Sequence, residues 1–182
     1  MVRPRNCLVH MRLVCLPIVG NEDMIDAKIE SFLIIRQAQS VTRLTECTFQ
    51  PGRQAMARIG YGRVIQITAD NYMAVMEVIY DYPDEFVGKT VEMTGFVYND
   101  PDNPNQQFLF RFGIIHCIAD SGVYGLLTTG QTQHFVNDTW VKARGTIKIT
   151  YHNSLEQSLP SLELTDLIQI QKPSNPYVYR VF

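Results

Sequence analysis

From Lys89 onward apolar residues recur at every second position, and this period constrains the fold more than any other feature. Successive side chains of an extended strand point to opposite faces, so alternation marks half-buried strands. Residues 90–98, 108–115, 123–129, 140–151 and 162–170 read as five strands, with turn residues between them in Asn99-Asp100-Pro101 and His152-Asn153-Ser154. The fourth is the clearest: Val141, Ala143, Ile147, Ile149 and Tyr151 share one side, and Lys142, Arg144, Thr146, Lys148 and Thr150 the other. One face is expected in the core and one in water, with Val141, Ile147 and Ile149 buried. Five consecutive short strands, with an insert at residues 131–138 between the third and fourth, fit a mainly β fold, a five-stranded OB-like Greek-key barrel. Gly95 and Gly145 lie inside strands, where a small barrel needs bulges or sharp bends. A β-sandwich is the competing architecture.

One helix is expected ahead of the barrel. Residues 64–68 alternate as a short strand, Thr68 can cap a helix, and Tyr72, Val75, Met76 and Ile79 follow at i, i+3, i+4 and i+7 before Pro83 ends it. This places the helix at residues 70–82, packed on the sheet. Residues 1–61 read as a poorly defined N-terminal extension, with residues 25–44 as an amphipathic helix and Pro51-Gly52 as a break, and residues 62–182 form the OB-like domain.

Composition narrows the function classes. A formal net charge of -2 over 182 residues lacks the basic balance that non-specific nucleic-acid binders use to neutralise phosphates. Cys7, Cys15, Cys47 and Cys117 form no CxxC pair, which argues against a zinc ribbon and a disulfide framework. The apolar run at residues 13–19 is too short to span a bilayer and has no convincing signal cleavage site after it.

Chemistry, if present, is expected where the second strand runs into His116, Cys117 and Asp120 and then a glycine-rich turn. Imidazole, thiolate and carboxylate together suit zinc or a similar divalent ion. Neighbouring strand residues face opposite ways, so both His116 and Cys117 reach one ion only if the strand ends or bulges there. A fourth ligand has to come from afar, with His10, His134 and His152 as the remaining histidines. The bland alternative makes Cys117 a buried small side chain, His116 a surface residue and Asp120 a turn residue. Arg111 alternates with Phe110 and Phe112 and is expected to be partly exposed, either contacting an anion or pairing with Asp120 or Glu92. Lys142 and Arg144, with Lys148, make a basic row on the fourth strand, where Tyr98, Tyr124 and Trp140 would supply stacking faces for a single strand. The usual role of such a row is a solvated face. The Pro-rich Pro173–Tyr179 tail is expected to pack locally. No Ser-His-Asp pattern, phosphate-binding glycine loop or HExxH motif occurs, so a non-catalytic role is the leading expectation.

Several segments in order carry a family resemblance: Gly88-Lys89, Gly95-Phe96-Val97-Tyr98, the stretch from Arg111 to Leu126, Trp140-Val141 and Pro176-Tyr177-Val178-Tyr179. Over roughly residues 62–179 the chain resembles the YcgQ-like bacterial proteins, a family usually described as subunits of two-component membrane permeases. In that family the motif at the strand end reads Cys-Cys-x-Ala-Asp. Here His116 stands at the first cysteine, while Cys117, Ala119 and Asp120 match. Exchanging thiol for imidazole would abolish a disulfide yet preserve metal binding, so the resemblance favours ligation, with zinc as the expected ion. Arg111 also matches an arginine of the family pattern. The resemblance implies an accessory or sensor subunit associated with the membrane through a multi-span permease partner. The family usually carries hydrophobic membrane segments ahead of this domain; this sequence shows none. The alternatives are an OB-fold single-strand binder and a thiol- or metal-dependent enzyme.

Overall fold

The computed structural model describes residues 64–180, apart from 102, 104, 105, 117–120, 131 and 132. The elements run β1 (Val64–Gln66), α1 (Tyr72–Asp81), a 3-10 turn (Pro83–Glu85), β2 (Thr90–Asn99), β3 (Gln107–Ile114), β4 (Gly122–Thr129), β5 (Trp140–His152), β6 (Gln157–Gln169) and β7 (Tyr177–Tyr179). The fold is mainly β, with one helix ahead of the main strands. The expectations for residues 1–61 lie outside the described residues.

The strands form one seven-stranded mixed sheet in the order β1-β2-β5-β6-β4-β3-β7. β3 also pairs with β2, so hydrogen bonding passes around a ring of five strands. Within the ring β4 and β6 are parallel and the other neighbours antiparallel. β1 adds to β2 and β7 adds to β3, both parallel. The expected alternation in β5 holds where β2 flanks it: Val141, Ala143 and Ile147 are fully buried, while Lys142, Arg144 and Lys148 face water. Gly145 sits at a register shift between β5 and β6, the bulge that an in-strand glycine signals. A Cβ there would overlap the Glu163 carbonyl.

Four expectations change. Ile149 is 42% exposed and Tyr151 56%, because β2 pairs with β5 only as far as Thr146 and the β5–β6 hairpin projects beyond it. The helix is capped at Asn71, not Thr68. Asn71 Oδ1 accepts from the Thr68 amide at 2.8 Å and its Nδ2 donates to the Gln66 carbonyl at 3.0 Å, so a turn intervenes. β6 begins at Gln157 instead of residue 162. Its ladder to β4 starts only at Ser161, so Pro160, which has no N–H, interrupts nothing on that flank. The C-terminal tail, expected only to pack, forms β7, in which Val178 is fully buried and Tyr177 lies with its ring centroid 6.1 Å from that of Phe112.

Two apolar clusters hold the sheet. The larger joins Tyr72, Val75, Met76 and Ile79 of α1 to Val91, Met93, Leu109, Leu126, Val141 and Ile147. The smaller is aromatic, with Phe96, Phe108, Phe110 and Trp140 at its heart. The i, i+3, i+4, i+7 stripe of α1 is therefore core, as its period required.

Candidate functional site

The end of β3 is framed by α1 on one side and β7 on the other. Gly113 has no side chain because a Cβ would run into the Met73 sulfur and the Tyr124 ring, so the helix packs directly on this part of the strand. The Tyr72 hydroxyl donates to the Tyr124 carbonyl at 3.0 Å and the Tyr80 hydroxyl to the Gly125 carbonyl at 2.8 Å, pinning α1 to β4. β7 lies beside Phe112, Gly113 and Ile114, and Arg180 ties it to Glu77 of α1 at 3.1 Å.

Within this frame Arg111 is only 3% exposed, not partly exposed as its alternation implied. The face shared by Leu109, Arg111 and Gly113 is covered by α1, which strand period alone does not reveal. Its Cζ lies 5.7 Å from the Tyr72 ring centroid and 5.5 Å from that of Trp140, where the two apolar clusters meet. Nη2 donates to the Asn175 carbonyl at 3.2 Å, and Nε is buried with no hydrogen-bond partner among the described residues. Glu92, one of its two expected partners, pairs instead with Lys142 at 2.6 Å, and Asp120 lies outside the described residues. Burial holds the Arg111 pKa below its ordinary value, with Tyr72 opposing. Burial likewise pushes the Tyr72 phenol far above its usual range, and Arg111 offsets this only in part. Tyr72 therefore stays neutral beside the guanidinium.

The proposed metal ligands are not brought together by anything described. His116 is exposed just beyond β3, and Cys117 and Asp120 lie outside the described residues. Among the described residues no group of three His, Cys, Asp or Glu side chains is placed to hold an ion. The distant histidines belong to the other end of β3. His152 packs against Phe108, and His134 lies in the loop whose Phe135 carbonyl accepts from Gln107 at 2.9 Å. From Phe108 to Ile114 is roughly 20 Å of extended strand, so neither completes a site at His116. His152 has another role: its Nε2 lies 2.7 Å from Asp100 Oδ2, with both side chains under 5% exposed. The Leu155 amide donates to Nδ1 at 3.4 Å, which assigns the hydrogen donated to Asp100 to Nε2. In the sequence Asp100 stands among turn residues, and no spacing pattern marks this role.

The basic row on β5 is also less free than its sequence implied. Lys142 pairs with Glu92, and Lys148 reaches Glu163 at 3.5 Å. Trp140 is 6% exposed and offers no open stacking face.

The model of the DUF1980 C-terminal domain family matches residues 47–180. The chain belongs to this family. A Streptococcus mutans relative, 59% identical over 118 residues that make up 65% of this chain and 44% of its own, is named as a candidate subunit of a two-component membrane permease complex. The Bacillus subtilis UPF0703 protein YcgQ is 42% identical over 132 residues, 71% of this chain and 46% of its own. The DUF1980 chain thus spans less than half the length of these relatives. Among solved structures, asparaginyl-tRNA synthetase from Pyrococcus horikoshii is similar over 50% of this chain and 23% of its own, with 19% identity and a TM-score of 0.30, a likeness that carries no argument. Among the described residues no helix is long and apolar enough to cross a membrane.

Proposed function

We propose that this chain is a non-catalytic accessory or sensor domain of a membrane permease complex, held at the membrane through a multi-span partner subunit. The observation that carries the reading is membership of the DUF1980 family together with 59% identity to a relative whose name places it in such a complex. The fold we assign to it is an OB-like barrel. Support comes from the ring order β2-β3-β4-β6-β5 with β4 and β6 parallel, an arrangement in which five strands can close on themselves.

Co-expression with the multi-span permease subunit from the same source tests the assignment. A single species containing both chains, on size-exclusion chromatography in detergent, is expected. Separate elution at micromolar concentrations sinks the reading. Its sensor limb proposes that His116, Cys117 and Asp120 bind zinc, the thiolate and imidazole as ligands and the carboxylate ligating or orienting the histidine. Metal analysis of the purified protein should find zinc that Cys117→Ser removes. Equal zinc uptake by wild type and variant removes this limb while leaving the accessory role intact.

A further inference from the structure

We draw no further inference here: the strongest candidate, the exposed apolar face that Ile149 and Tyr151 form on β5 where the β5–β6 hairpin projects beyond β2, carries nothing because nothing among the described residues shows what covers it.

Discussion

At the scale of single residues, two buried positions carry more of the stability than their sequence context indicates. Asp100 and His152 join the turn after β2 to the end of β5 through a 2.7 Å contact shielded from water. Asp100→Ala leaves His152 Nε2 without its acceptor, and a buried donor left unsatisfied costs about 1–3 kcal/mol. A urea midpoint lowered by that amount is expected, and an unchanged midpoint would show that water replaces the carboxylate freely. Gly145 poses a steric problem. Its missing Cβ is what lets β6 approach β5 at the bulge, so Gly145→Ala should destabilise by about 1–3 kcal/mol through forced backbone movement. The same substitution at Gly122, where a Cβ meets nothing nearer than 3.4 Å, should be far milder.

At the scale of elements, α1 and β7 act as parts of the core although both flank the ring. Met76 is fully buried at the centre of the helix stripe, and Met76→Ala should cost about 2–5 kcal/mol by opening a cavity against β2 and β5. Truncation after Lys172 removes β7, the buried Val178, the Asn175 carbonyl beneath Arg111 and the Arg180–Glu77 contact. Loss of at least about 2 kcal/mol is expected from the apolar burial of Val178 alone. A truncated chain with an unchanged denaturation midpoint would mean that β7 is docked without contributing. The boundaries of these elements were only partly legible in the sequence. The strand period located β2 to β5 within a residue or two, but Pro160 and Pro176 obscured β6 and β7, because a proline excludes a strand only where its missing N–H would have been needed.

For the whole molecule, burial of Tyr72 makes a contribution to stability that falls as pH rises on the alkaline side. Its folded pKa is raised by burial, so below about pH 10 the phenol is neutral in both states and contributes no pH dependence. Above that, the unfolded chain releases the proton while the folded chain holds it, and stability falls as pH rises. Tyr72→Phe should therefore lower the midpoint at pH 7, through loss of the hydroxyl's bond to the Tyr124 carbonyl, yet decline less steeply than wild type between about pH 10 and 12. Parallel declines in the two proteins would assign the alkaline loss to other groups.

The alternation of Val141, Ala143 and Ile147 with Lys142, Arg144 and Lys148 already determined which face of β5 is buried, because strand geometry is local and has a period of two. The Tyr72, Val75, Met76 and Ile79 stripe determined the helix and its inward face for the same kind of reason. Local geometry carries no information about what covers a face. Whether Arg111 meets water or an apolar wall depends on α1, some 30 to 39 positions earlier in the chain, and on the Asn175 connection 64 positions later. Where β2 leaves β5, and hence that Ile149 is exposed, is likewise a matter of how far a distant strand extends. Only the assembled sheet brought Asp100 to His152, Glu92 to Lys142, and the Arg111 guanidinium to the rings of Tyr72 and Trp140. Such contacts depend on long-range strand pairing, and pairing partners are set by the burial of the whole core rather than by the spacing of any one motif.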